Sequence, residues 1–317
     1  MDGLKILTNG IIVMKKSLLC ICLGLSLTGL AHAAPNGKTT NNPGASQLLI
    51  GAFPSMPGVY GQFTYSNATA DKIFDADGNQ KKYIDQDFEA SISTLRLLGV
   101  LDFNLLGADI TLTEAIMSYV DIDNHLNIGG HSIDADSNGL SDITLTPLIL
   151  QWKLGDSDQL KLTGALGAVV PVGSYSKNKP SNVGDNHFSL MPRGAINYSF
   201  TPQMEIGVAP IFNLNSKNTD TGIKTGDELT LDFMANYKTD RWRFGLTGYY
   251  YTQLNEDELN GVKIANSETK AFGIGPAFQY KLGKYGPFLN MAWQKELYSV
   301  NKSQTDTFRV GFTFKTP

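Results

Sequence analysis

The sequence is poor in cysteine, poor in histidine and nearly free of long apolar runs. Its two cysteines, Cys20 and Cys22, sit together near the start, and only 4 histidines occur in 317 residues. Everything after residue 22 therefore lacks the means for a disulfide framework or a thiolate metal centre. Charged residues make up 18%, the formal net charge is −4 and the mean hydropathy is −0.14. A mildly acidic chain lacks the basic field that nucleic acid requires. A bundle of spanning helices is excluded too, because each would need ~20 consecutive apolar residues.

The one apolar run is Ser17 to Leu30, preceded by Lys15-Lys16 and followed by Ala31-His32-Ala33. A basic flank, a short apolar centre and small residues three and one before a cut define a secretory signal, so residues 1–33 are expected to be removed after Ala33. Met14-Lys-Lys reads as the start of that signal, with residues 1–13 an extended or over-called beginning. No small residue stands where a lipoprotein cut before Cys20 would need one, which argues against lipidation. Removing Lys5, Lys15, Lys16 and Asp2 leaves 23 basic and 29 acidic residues, a net of −6.

What the chain has in quantity is alternation. In Asp227 to Gln253, one face carries Leu229, Leu231, Phe233, Ala235 and Tyr237, then Trp242, Phe244, Leu246 and Tyr250; the other carries Glu228, Thr230, Asp232, Met234 and Asn236, then Arg243, Thr247, Tyr249 and Tyr251. Period two marks strands, and the break at Lys238 to Arg241 makes the pair a hairpin. Each half runs to about ten residues, the ~9–11 needed to cross a hydrocarbon layer on a tilt. The expected fold is all-β, a transmembrane antiparallel up-and-down β-barrel of about 12 strands. Its apolar face meets outer-membrane lipid and its charged face the lumen.

Twelve alternating stretches are predicted at 58–66, 88–101, 108–121, 142–154, 159–172, 187–200, 203–215, 226–238, 242–254, 268–281, 285–298 and 305–314. Long links (67–87, 122–141, 173–186, 216–225, 255–267, 299–304) alternate with short ones such as Thr201-Pro202, as in a barrel with long outer loops and short periplasmic turns. An even count leaves both termini periplasmic. Pro147 sits where the apolar phase switches, from Ile143 and Leu145 to Leu148, Leu150, Trp152 and Leu154, so a β-bulge is expected there. Trp152, Tyr198, Trp242, Tyr280, Tyr285 and Trp293 are expected at the membrane interfaces. The aromatic last strand, through Phe314, is what barrel-assembly machinery would read. Three units result: signal 1–33, a leader 34–57 whose Leu48 to Phe53 could fold back as a plug, and the barrel 58–317.

In the lumen phase fall Arg96, Arg193, Arg243 and Arg309, with Glu205, Glu228, Asp232 and Glu296. Two readings compete: a structural ion-pair network, since buried charges pair, and a constriction that sets selectivity. Asp232 and Arg243, near one turn on adjacent strands, are the expected pair. Tyr60, Tyr249 and Tyr251 would add π-faces to the passage. Asp134-Ala-Asp136-Ser-Asn138-Gly139 copies the opening of a calcium loop, but Leu145 stands at the closing position instead of Glu, so the motif fails and weak divalent binding is the residue of it. Asp75 to Asn79 reads as a solvated turn. Asp185, His187 and Ser189 are the right types for nucleophilic catalysis, yet alternate residues on one strand lie ~6–7 Å apart, too far for direct proton transfer. No cofactor, metal site or catalytic residue is expected.

Several short motifs occur in order: Gly139-Leu-Ser-Asp142-Ile-Thr-Leu-Thr-Pro147, Trp152, Pro171-Val-Gly173-Ser-Tyr175, Val183-Gly184-Asp-Asn186-His-Phe-Ser189, Pro192, Gly226-Asp227-Glu228, Gly248-Tyr249-Tyr-Tyr251, Gln253, Asp257, Gly275-Pro276 and Lys295-Glu296. With them the chain from Pro57 onward resembles the outer-membrane family named for the meta-cleavage pathway of phenol degradation. The resemblance implies a barrel that passively admits small hydrophobic or aromatic compounds, with no catalytic residues. Two other classes stay open: a structural or adhesive surface barrel with a blocked lumen, and an outer-membrane hydrolase.

Overall fold

The computed structural model describes residues 38–155, 157–283 and 286–315. The expected signal 1–33 with its cut after Ala33, residues 34–37 of the leader, Lys284 and Tyr285 of one turn, and Pro317 lie outside these. Twelve long strands form the wall: β1 Gly58–Ala70, β2 Ile84–Val100, β3 Ile110–Ile128, β4 Ile143–Leu154, β5 Leu160–Val170, β6 Ser189–Ser199, β7 Met204–Asn215, β8 Glu228–Lys238, β9 Trp242–Gln253, β10 Lys270–Lys281, β11 Phe288–Val300 and β12 Asp306–Lys315. Each pairs antiparallel with its sequence neighbours, and β12 returns to β1 with Tyr60 opposite Lys315 and Thr69 opposite Asp306. The sheet is closed, so no strand edge meets lipid.

Alternation decides which side is which. On β8 the residues Leu229, Phe233 and Tyr237 face out while Glu228, Thr230 and Asp232 are buried inward. The same holds for Ile206 and Phe212 against Glu205 and Asn213 on β7. Outside, Trp242 packs 4.1 Å from Tyr280 and 5.0 Å from Phe278, and the Trp152 indole donates to the Leu106 carbonyl, all at the short-turn end. These rings form the girdle expected there. Trp293 departs from it: it stands mid-strand opposite Phe308.

The wall differs from expectation at its outer margin. Strands β2 and β3 run to 17 and 19 residues, and two short strands, His131–Asp134 and Ser137–Leu140, pair back onto β3. Much of the expected loops 67–87 and 122–141 is therefore strand, because a hairpin with polar residues on both faces continues its ladder into water beyond the membrane. The bulge at Pro147 is present as a register shift between Leu145 and Leu148. It puts Thr146 inward before it and Ile149 and Gln151 inward after it.

Strand β1 starts and β12 ends at the short-turn end, as an even count requires. The described chain before β1 corrects the expectation for the N-terminal side. Residues 38–57 turn inward and run up the lumen, so that Lys38 lies among the outer loops beside Val183 and Asp185.

Candidate functional site

The lumen is a polar tube into which residues 38–57 run, held by side chains from most of the wall. From the outer end inward, Thr40 donates through its amide and hydroxyl to Glu228, at 3.1 and 2.8 Å. The Asn41 amide reaches Asn213 at 3.0 Å. Arg309 donates to the Asn42 side chain at 2.9 Å and the Pro43 carbonyl at 3.0 Å, and to Gln294. Asp232 accepts the amides of Gly44 at 2.8 Å and Ser46 at 3.2 Å. Lower down, Arg243 donates to the Leu48 carbonyl at 2.8 Å, Asn197 to that of Ile50 at 2.9 Å, and Gln151 to that of Gly51 at 3.0 Å.

Most of these bonds go to backbone groups that a β-wall cannot pair, so side chains on the wall supply the partners every buried amide needs. Apolar contacts complete the fit. Leu48 and Ile50 pack among Ala209, Met234, Ala277 and Ala292, and Phe53 packs against Leu98, Val100, Leu112 and Ile149. Small residues on the wall make room: a Cβ on Gly207 would meet Ile50 at 2.9 Å.

Among the described residues, the ion pairs built on a buried carboxylate of the wall fall in three groups. Glu114 on β3, fully buried, is held by Arg96 on β2 at 2.5 Å and by Arg193 on β6. Glu205 on β7 is shared by Lys238 at 2.5 Å and Arg243 at 3.4 Å. Glu296 on β11 takes Lys302 at 2.6 Å, the Tyr249 hydroxyl at 2.8 Å and the Thr305 amide at 2.9 Å. The expected pair of Asp232 with Arg243 does not form. Asp232 lies opposite Tyr249 and accepts chain amides, while Arg243 lies opposite Lys238, where Glu205 reaches it.

Apart from Tyr60 and from Glu205, which is buried beneath Lys238 and Arg243, the candidate lumen residues part into two sets. Arg309, Asp232, Glu296, Tyr249 and Tyr251 are buried, fixed to the N-terminal segment or to one another. Arg96, Arg193 and Arg243 keep 26%, 19% and 16% of their side chains exposed inside the barrel. Tyr60 stands at the periplasmic rim, its hydroxyl on the Met56 carbonyl and Lys315 5.6 Å above its ring. Glu114 is absent from the residues that the sequence points to, although it holds two of the four lumen arginines. On β3 both faces mix polar and apolar residues, since Leu112 faces inward to meet Phe53, and alternation there carries little signal.

The recurrent motifs brace the outer mouth. Asp142 accepts the amides of Gly173 at 2.8 Å and Asp185 at 2.7 Å, and burial pushes its carboxyl above the usual range against the pull of those amides. A Cβ on Gly139 would strike Ser174 at 2.1 Å, and one on Gly173 or Gly184 would meet the backbone of the facing loop within 3 Å. Asp257 accepts from Gly226 at 2.9 Å and Gln253 at 2.8 Å. These residues hold loops together.

The catalytic possibility finds no relay. Ser189 accepts from Asn213, Asp185 pairs with Lys38, and no hydrogen bond joins Asp185, His187 and Ser189 to one another among the described residues. The calcium-like stretch runs from the end of one short strand through residues 135–136 into the other, both paired on β3, and so has the form of a hairpin edge and not of a calcium loop. Asp136 caps the Asn124 amide and Asp134 bonds His125, although Asp123, His125 and Asp136 bring ligand atoms within 4.8 Å of one another on the exposed hairpin. Asp75 accepts the amides of Asp77 and Asn79, a solvated turn.

The structure is similar to an outer membrane channel of Pseudomonas putida F1, with a TM-score of 0.71 at 15% identity over 87% of this chain and 100% of that one. It also matches the NanC porin, at TM-score 0.41 and 12% identity over 80% of this chain and 100% of that one, and a FadL homologue of Pseudomonas aeruginosa, at 0.41 and 10% over 88% and 98%. The first likeness supports the fold; the other two are too distant to carry an argument. No curated protein matches the sequence. A family model described as "Putative MetA-pathway of phenol degradation" matches residues 62–312, which is most of the barrel. The chain is an outer-membrane β-barrel and belongs to that phenol-degradation family.

Proposed function

We propose that the protein is a passive channel for small hydrophobic or aromatic compounds, with residues 38–57 acting as a plug that leaves a passage along one side of the lumen. The observation that carries this reading is the division of the lumen. Arg309 and Asp232 are sealed against residues 42–46 of the plug, whereas Arg96 on β2 and Arg193 on β6 make no contact with it among the described hydrogen bonds and keep part of their side chains open. Fixed charges in a narrow, partly dry passage set selectivity. The family match supports aromatic or hydrophobic cargo, because the family is described by phenol degradation. The lack of a bonded Asp185, His187 and Ser189 supports a non-enzymatic role. Assembly through the aromatic last strand fits delivery by barrel-assembly machinery.

The plug also favours a second reading, a surface barrel with a closed lumen. Single-channel conductance of the mature protein and of a variant lacking residues 38–55 separates the two. A small conductance in the parent that rises several-fold on deletion is the expected result. Silence in the parent, with no uptake of labelled phenol by cells expressing it, would leave the closed barrel ahead; equal conductances in both proteins would sink the plug.

A further inference from the structure

Among the described residues, the inward face at the periplasmic end carries more positive charge than its carboxylates balance. Lys153 on β4 and Lys161 on β5 are direct cross-strand partners on the inward face, and Lys238 on β8 and Arg243 on β9 are another such pair. Like charges placed directly opposite destabilise a sheet. Between the pairs stands one wall carboxylate, Glu205, whose two oxygens are already taken by Lys238 at 2.5 Å and Arg243 at 3.4 Å. Lys153 has Asp158 of the neighbouring turn at the edge of contact, 3.9 Å away. Lys161 feels Lys238, Arg243 and Lys153 as well as Glu205, and makes no hydrogen bond or ion pair among the described residues.

An ammonium that is partly withdrawn from water and left without a partner is costly, and a bound anion removes that cost. The site borders residues 48–51 of the plug. Arg243 holds the Leu48 carbonyl, and Asn197, the cross-strand partner of Lys161 on β6, holds that of Ile50. A solute leaving the passage towards the periplasm meets this end last.

We infer that Lys161 and Lys153, with Lys238 and Arg243 behind them, form a binding site for the carboxylate of a small organic acid at the periplasmic end of the lumen. This rests on the channel reading for its place in transport, and it names the ionic class of solute the passage takes. A single carboxylate bridging Lys153 and Lys161 converts their repulsion into two charge-assisted hydrogen bonds. Neutral aromatics of the same size gain nothing from the site.

The test is calorimetry on the detergent-solubilised mature protein with sodium benzoate and with benzyl alcohol, its neutral twin. Benzoate should bind at least tenfold more tightly than the alcohol, and raising salt from 0.01 to 1 M, which cuts the Debye length from about 30 to about 3 Å, should weaken it. Lys153→Gln with Lys161→Gln should reduce benzoate affinity about tenfold, the scale of losing two charge-assisted contacts in a half-wet site. Should the double variant not fold, as judged by heat-modified gel migration, Lys161→Gln alone serves. Equal benzoate binding by parent and variant, or benzoate bound no better than benzyl alcohol, overturns the inference. Liposome flux separates it from the channel reading. Benzoate that binds through these lysines but never crosses would refute passage and keep the site, while flux and binding both indifferent to the substitutions would refute the site and keep the channel.

Discussion

Glu114 is the residue on which the open side of the lumen turns. It is fully buried, its two oxygens face two different guanidinium groups, and Thr146, placed by the Pro147 bulge, lies within 3.5 Å of one of them. Replacing it by Gln keeps the shape and removes the charge, leaving Arg96 and Arg193 to repel each other. The expected loss is about 1–3 kcal/mol, below the ~3–5 typical of fully buried pairs because both arginines keep contact with water. Urea unfolding in detergent micelles would measure it, and an unchanged midpoint would show that the guanidinium groups find other partners. Single charges in a wall are legible as lumen or lipid from their phase, as with Arg243 and Glu205. Pairings are not, because they depend on the stagger between strands and on bulges. That is why Asp232 and Arg243, adjacent on paper, take different partners.

Among elements, the strands were plain in the sequence and the N-terminal segment was not. All twelve alternating stretches are strands, since a wall with lipid outside and water inside forces period two on every one of them. The segment 38–57 has no period. Its hold on the wall is made by Asn, Gln, Arg and Asp side chains gripping its backbone, and nothing local in Asn-Pro-Gly-Ala-Ser foretells that. Only the apolar Leu48 to Phe53 hinted at burial. Gly44 is the narrow point, with φ of +76° and a Cβ position 2.3 Å from Gln294 and 2.7 Å from Tyr249. Gly44→Ala should therefore loosen the upper segment, at a backbone cost of roughly 1 kcal/mol before the clash is counted. A cysteine placed at Thr39 reports this: maleimide labelling should run faster in the Gly44→Ala background, and equal rates would mean the clash is relieved without displacement.

At the scale of the whole molecule, unbalanced positive charge is concentrated at one end of the barrel axis. Lys153, Lys161, Lys238 and Arg243 gather at the periplasmic end around one wall carboxylate, Glu205, whereas towards the outer end Glu296 is paired with Lys302 and Asp232 lies near Arg309. A passage with fixed charge at one end conducts unequally in the two directions, so oriented bilayer recordings at low salt should show different currents at opposite voltages of equal size. The asymmetry should fade near 1 M salt, where screening acts over about 3 Å. Straight current-voltage lines at low salt would count against a net positive inner end. Family membership was legible because the mouth-bracing glycines and aspartates fall in fixed order. The carboxylate site was not, since its four cations come from four strands.

The threaded segment also has a consequence for how the barrel is made. Thr40 meets Glu228 across 188 residues of chain, and Asn42 meets Arg309 across 267. Contacts of such sequence separation wait for the chain that carries them, because their loop-closure entropy comes due before they form. The grip of Arg309 on the segment thus requires the last strand, the same strand whose pairing with β1 seals the cylinder. The Arg309 clamp on residues 42–43 and the closure of the seam therefore form together, and a chain cut short of β12 would have neither.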